Sequence, residues 1–193
     1  MKKLIILFLL VSFNASALNI KDIKFVNSDG KEVDLSQIDS EIIFEWSNLE
    51  CPYVKRHYGS NNMQTTQKFA KSNNVIWITV ISSAENKQGY IHPKDAVNTF
   101  ASLQSFPDHI VIDKNGNLGK KFNAKTTPHI FIADKNKNIV YQGAIDDAGG
   151  ANFWTTDLNL STNFVKKVVN DINSSKPLSI SKTRPYGCSV KYR

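Results

Sequence analysis

Two stretches, Glu41 to Trp46 and Val75 to Ile81, constrain this chain more than any other part of it. Both are mostly apolar and rich in β-branched or aromatic residues, as strands buried on both faces of a parallel sheet should be. Between them Pro52 to Lys71 carries a helical pattern, which Gly59 can bend or interrupt. A chain with this skeleton has to cover both faces of its sheet, and the remaining segments are suited to do so.

Ile23 to Val26 and Glu32 to Leu35, joined by Asn27-Ser28-Asp29-Gly30, read as a hairpin whose turn is supplied by Asp-Gly. Pro93 to Leu103 suits a second helix, with His92-Pro93 near its start. His109 to Ile112, Ile130 to Ala133 and Asn138 to Gln142 read as three more strands, the last two joined by the polar turn Asp134 to Lys137 as an antiparallel hairpin. Leu160 to Asn173 shows a helical stripe of Leu160, Phe164, Val165, Val168, Val169 and Ile172. The order of elements predicts an α/β sheet covered by helices.

The N-terminus reads as an address. Lys2-Lys3, the apolar run Leu4 to Phe13 and the small-x-small site Ala15-Ser16-Ala17 have the layout of a secretory signal peptide. Its apolar run is about half the ~20 residues a spanning helix needs. Cleavage after Ala17 is expected, with a periplasmic or secreted mature protein and no stable membrane insertion. Residues 18–175 are then one domain and 176–193 a short tail. Losing Lys2 and Lys3 lowers the formal charge from +7 to +5. The remaining lysines are scattered, with no basic run interleaved with aromatics, so nucleic acid is not an expected partner.

The chain has two cysteines, both in the mature part, and an exported protein meets an oxidising compartment. Cys51 follows a predicted buried strand, and Pro52 suits the first position of the next helix. A thiol there faces unpaired backbone N–H groups and the positive end of the helix dipole, both of which favour the nucleophilic thiolate. Lys55, one turn on, can add to this effect. The plainer alternative is a small buried apolar cysteine. Thr127-Pro128, entering a strand, is a candidate cis peptide beside a substrate; an ordinary trans proline at a strand start is equally compatible. Cys188 stands among turn formers, Arg184-Pro185-Tyr186-Gly187, in a tail flexible enough to carry a second thiol to an oxidised Cys51. A permanent structural staple between the two cysteines is the alternative. Arg184, one of three arginines, can hold an anionic species.

The ordered set of these pieces resembles the thioredoxin-like superfamily, and within it the peroxiredoxin-like redoxins related to alkyl hydroperoxide reductase and thiol-specific antioxidant proteins. The resemblance rests on the Asp-Gly hairpin, Glu45-Trp46 followed by Cys51-Pro52-Tyr53-Val54, and Thr126-Thr127-Pro128 before a strand. It extends to Ile139 to Gly143 leading to Ile145-Asp146-Asp147, and to the terminal Thr183 to Tyr192. It implies a thioredoxin fold of four or five central strands, with an N-terminal β-hairpin and a C-terminal tail carrying cysteine. It implies that Cys51 attacks and that Pro128 faces Cys51. Glu45 lies at the spacing of the buried acid behind the active cysteine of thioredoxins, on the sheet face of Ile43; an edge-exposed glutamate is the alternative. Two departures mark the chain. Val54 replaces the second cysteine of Cys-x-x-Cys, and Phe44 and Asn48 stand at the Pro and Thr positions of Pro-x-x-x-Thr-x-x-Cys.

The histidines (His57, His92, His109, His129) are not paired at metal-ligand spacing, Lys55 fills the second place of a copper-type Cys-x-x-x-Cys, and neither metal nor cofactor is expected. Asp146-Asp147 reads as a solvated turn. The expectation is a thiol peroxidase in which Cys51, Cys188, Glu45 and Arg184 do the chemistry and Asn48, Pro52, Lys55, Thr127 and Pro128 line the substrate site. An external dithiol protein would be the reductant. The alternatives are a thiol–disulfide oxidoreductase acting on protein disulfides, and a non-enzymatic binding module with a structural disulfide.

Overall fold

A computed structural model describes residues 18–150 and 152–193. The signal-peptide reading of residues 1–17 lies outside this range. Five strands form the central sheet: β3 (Ile42–Trp46), β4 (Ile76–Ile81), β5 (His109–Ile112), β7 (His129–Ala133) and β8 (Ile139–Gly143). Their spatial order is β5-β4-β3-β7-β8. The first three run parallel; β7 and β8 are antiparallel to their neighbours. β3, the middle strand, is buried at every residue, which explains its unbroken apolar character.

Strand alternation divides the core into two layers. Ile43, Trp77, Ile130, Ile132 and Tyr141 point to one face and pack with Val54, Tyr58, Met63, Phe100, Val165 and Val168. These come from α1 (Pro52–Gly59), α2 (Asn62–Ser72), α3 (Pro93–Ser102) and α5 (Phe164–Asn173). Ile42, Phe44, Trp46, Ile78, Val80 and Phe131 point to the other face. They pack under Phe122 of the short helix α4 (Asn117–Phe122) and under the hairpin of β1 (Lys24–Val26) and β2 (Glu32–Asp34). Phe44, Trp46, Phe122 and Phe131 form a continuous aromatic cluster with neighbouring centroids 4.8 to 6.1 Å apart.

The helix expected over 52–71 is two helices. Ser60 ends α1 and Asn61, in a left-handed conformation at φ 60°, turns the chain into α2. Leu160 is not part of α5; it is 85% exposed, and the helix starts at the cap Asn163, whose side chain accepts from the Lys166 N–H. Two short strands escaped the sequence patterns. β6 (Thr126–Thr127) and β9 (Cys188–Ser189) pair antiparallel, with Thr127 opposite Cys188. Two-residue strands have too little alternation to read, and their pairing joins segments 61 residues apart.

Candidate active site

Cys51 is the cap residue of α1, with Pro52 at the first helical position. Its N–H donates to the Asn48 carbonyl at 2.9 Å, and its carbonyl accepts from Lys55 N–H at 2.9 Å. The end of β3 and the start of α1 therefore fix the sulfur where the sequence placed it. On the other side of the sulfur is the strand entry to β7. The Thr127–Pro128 bond is cis, and Cys51 Sγ lies 3.1 Å from the Thr127 carbonyl oxygen.

The two cysteines are free thiols, and their sulfurs stand 2.7 Å apart. Burial pushes the Cys51 thiol up. Hydrogen bonding from the Cys188 thiol, the backbone at Val54 and Cys188, and Thr127 pulls it down, and the net position is below the ordinary thiol range. Burial and the proximity of the Cys51 sulfur push Cys188 up to about 12. Of the two sulfurs, Cys51 is thus the one whose surroundings favour the thiolate and Cys188 the one whose surroundings favour the thiol.

The tail that delivers Cys188 is not the flexible arm expected from its turn formers. It is pinned along its length. Thr183 N–H donates to the Gln142 carbonyl, and Thr183 Oγ1 accepts from Ala144 N–H at 2.8 Å. Val190 N–H donates to the Lys125 carbonyl, Ala84 N–H donates to the Lys191 carbonyl, and Tyr192 OH donates to the Ala124 carbonyl. Glycines make this close approach possible. A Cβ at Gly187, whose φ is +132°, would collide with the Thr127 carbonyl, and a Cβ at Gly149 would collide with the Tyr186 ring. The docked tail leaves Cys51 with 0% exposure.

The other residues singled out in the sequence fall into different places. Glu45 is fully buried on the face of Ile43, so it is not an edge glutamate. Burial pushes its carboxyl up, against donation from Tyr58 OH (2.9 and 3.1 Å), Trp77 Nε1 (3.1 Å) and Thr79 Oγ1 (3.2 Å). It makes no hydrogen bond to Cys51 among the described residues. Asn48 is buried and committed to its loop: its oxygen accepts from Glu50 N–H and its nitrogen donates to the Gln88 carbonyl. Gly89 leaves the space this side chain fills. Lys55 is exposed and lines the groove between α1 and α3, away from the sulfurs. Arg184 is exposed on a cleft of about 570 Å³ that also takes in Tyr53, Thr126, Gly149, Tyr186 and Gly187. That cleft borders the chain on either side of the cysteine contact.

Asp146 corrects the sequence reading. It is 1% exposed rather than solvated, because α2 and the tail close over it. His57 and Tyr186 join it in a buried polar cluster that local patterns did not reveal. The only signal for it was the conjunction of a histidine, an acid and a tyrosine on segments widely separated in the chain.

A sheet of this order, a cysteine starting the helix after its middle strand, a cis-proline facing it and a second thiol in contact define the class: thioredoxin-fold proteins. The chain belongs to the redoxin family, whose match covers residues 15–154. Among solved structures it is similar to an uncharacterized conserved protein from Geobacillus kaustophilus. That likeness has 19% identity and a TM-score of 0.76, and covers 93% of this chain and 94% of the other. A hypothetical protein from Sinorhizobium meliloti 1021 is similar at 17% identity and a TM-score of 0.74, covering 93% and 97%. A thioredoxin-like protein from Aeropyrum pernix shares the fold over 67% of this chain and 84% of its own, at 22% identity and a TM-score of 0.52. No protein of curated function matches the sequence. Among the described residues no helix is long and apolar enough to cross a membrane.

Proposed function

We propose that the protein is a thiol peroxidase that acts outside the cytoplasm, with Cys51 as the attacking and Cys188 as the resolving thiol. The observation that carries this reading is the 2.7 Å contact between a cysteine held toward thiolate and a cysteine held toward thiol. Cys51 thiolate attacks the outer oxygen of a hydroperoxide, the O–O bond breaks, and the alkoxide or hydroxide leaves and is protonated. Cys51 is now a sulfenic acid. Cys188 sulfur attacks Cys51 sulfur, its proton leaves with the hydroxyl as water, and a disulfide forms. An external dithiol protein then reduces the disulfide to two thiols and is itself oxidised.

Because Cys51 has no exposed surface, the oxidant reaches it only when β9 lifts from β6. A small peroxide needs a smaller opening than a protein does. The cleft beside Gly187, with Arg184 on its rim, lies next to that opening. Glu45 serves as a buried proton reservoir beneath α1, on the sheet face that Cys51 packs on, rather than as a direct partner of the sulfur. The basis for export is the leader pattern of residues 1–17.

A second reading, exchange with protein disulfides, is favoured by the main-chain edge of Thr126–Thr127, which β9 already uses as a pairing partner. One experiment separates them. Stoichiometric hydrogen peroxide added to the reduced protein should convert both thiols to a disulfide. Cys188→Ser should stop at a Cys51 sulfenic acid that a dimedone-type reagent traps, and Cys51→Ser should consume no peroxide. Peroxide consumption that persists in Cys51→Ser rejects the scheme. Inertness to peroxide together with rapid reduction of an insulin-like disulfide establishes the second reading instead.

A further inference from the structure

Four side chains from three distant segments meet beneath the tail, and none of them touches either sulfur. Tyr186, two residues before Cys188, inserts its ring among Tyr53, His57 and Phe153, at centroid distances of 6.0, 5.9 and 5.4 Å. Its hydroxyl donates to Asp146 Oδ1 and lies 3.0 Å from His57 Nε2. Asn62 Nδ2 lies 2.9 Å from His57 Nδ1 and 2.7 Å from Asp146 Oδ2, and Ala148 N–H donates to Asp146 Oδ1 at 3.1 Å.

With Asp146 as carboxylate, the donor inventory allows one consistent assignment. The single phenolic hydrogen goes to Asp146, so the Tyr186 oxygen accepts from His57 Nε2–H. That leaves His57 Nδ1 as an acceptor, for one of the two hydrogens of the Asn62 amide; the other goes to Asp146. His57 is therefore neutral, in keeping with burial, which pushes it down to about 4, and with the neighbouring charge of Arg56. Asp146 accepts from Tyr186, Asn62 and Ala148, which offsets in part the burial that pushes its carboxyl up. His57 and Asp146 are both buried, and each turns a polar atom toward the tail hydroxyl. With Tyr186 withdrawn, His57 Nε2–H and one oxygen of Asp146 each lose a partner.

We propose that Tyr186, seated on His57, Asp146 and Asn62, is a positioning residue that holds the resolving thiol of Cys188 against Cys51. The network is a socket on the domain and Tyr186 the plug on the tail. The lever arm is short, Tyr186-Gly187-Cys188, and its middle residue is the glycine that passes over the Thr127 carbonyl with no room for a side chain. Seating the phenol thus fixes where the Cys188 sulfur lies, and withdrawing it frees β9 to leave β6. This rests on the reading of Cys188 as resolving thiol, but not on the identity of the oxidant.

The test uses an aromatic disulfide, dithionitrobenzoate, on the full reduced protein. Cys51 thiolate attacks one sulfur of the reagent, forming a mixed disulfide and releasing one coloured thiolate. Cys188 then attacks Cys51 sulfur, releasing the second coloured thiolate and a proton and leaving the Cys51–Cys188 disulfide; two protein thiols are oxidised and one reagent disulfide is reduced. The first release depends on reagent concentration and the second does not, so attack and resolution are read separately. In Tyr186→Phe the first release should be as fast as in the unaltered protein or faster. The second should slow about tenfold, the scale of one buried hydrogen bond lost from the productive arrangement. Thr183→Val, which loosens the tail at Tyr141 and Ala144 instead, serves as the comparison for general destabilisation and should leave the second release within about twofold. Asn62→Ala, which leaves the tail sequence intact, should slow the second release as Tyr186→Phe does. An unchanged second release in Tyr186→Phe, or an equal slowing in Thr183→Val, overturns the positioning role. Release of only one equivalent by the unaltered protein overturns the resolving role of Cys188 itself, and the positioning role with it.

Discussion

At Cys51 two opposing influences meet in one atom. Burial under the tail disfavours charge, and donors from the helix start and from Cys188 favour it. The second set wins, so the thiolate forms at lower pH than in an ordinary thiol. The sign follows directly: thiolate is present above the folded-state pKa, so its ultraviolet absorbance grows as pH rises through that value. The most effective of the favouring groups is the Cys188 thiol. In Cys188→Ala the absorbance midpoint should move to higher pH, and a midpoint that stays in place or falls would show that the helix start alone sets the charge. In the unaltered protein a second, separate step belongs to the pair near the value of about 12 held by Cys188. Residue chemistry was legible in the sequence at Cys51 because strand, cysteine, proline and helix follow one another directly. It was not legible at Asp146, whose neighbours Asn62 and Tyr186 lie far away along the chain.

Among the elements, β9 is one of the two shortest and decides the most. It covers the attacking sulfur, supplies the second one, and is held by backbone pairing to the strand that enters the cis-proline. Its fit depends on Gly187, where both the left-handed backbone and the adjacent carbonyl exclude a side chain. Gly187→Ala should therefore undock the tail at a cost on the order of 2 kcal/mol. Limited proteolysis should then cut between residues 181 and 193 faster than in the unaltered protein, with disulfide formation slowed. A tail that stays equally protected would mean that β9 is not held by this passage. The longer elements, β3, β4 and α5, were visible from their periodicity. The break between α1 and α2 was visible only as a weak glycine, since the turn itself is made by Asn61.

For the whole molecule, the two cysteines lie 137 residues apart in sequence, so a bond between them closes a long loop of the chain. Closing so long a loop restricts the unfolded chain far more than the folded one, in which the sulfurs already touch. Oxidation should raise stability by about 3–5 kcal/mol. Denaturant unfolding of the oxidised and reduced forms measures this directly; an oxidised form that is no more stable than the reduced one would show that the folded chain resists the bond. The same comparison bears on turnover, because the reductant has to work against whatever stability the disulfide adds.

The sequence by itself determined the sheet, its covering helices and the placement of Cys51 at a helix start. These depend on periodicity and on neighbours within a few residues, where side-chain chemistry and backbone geometry act locally. Only the tertiary structure decided how close Cys188 comes, how completely the tail closes over Cys51, and that His57, Asn62, Asp146 and Tyr186 form one buried cluster. Those depend on contacts between segments that share no local pattern, and they are settled by whether the packed chain leaves room for a glycine, a ring or a hydroxyl at each crossing.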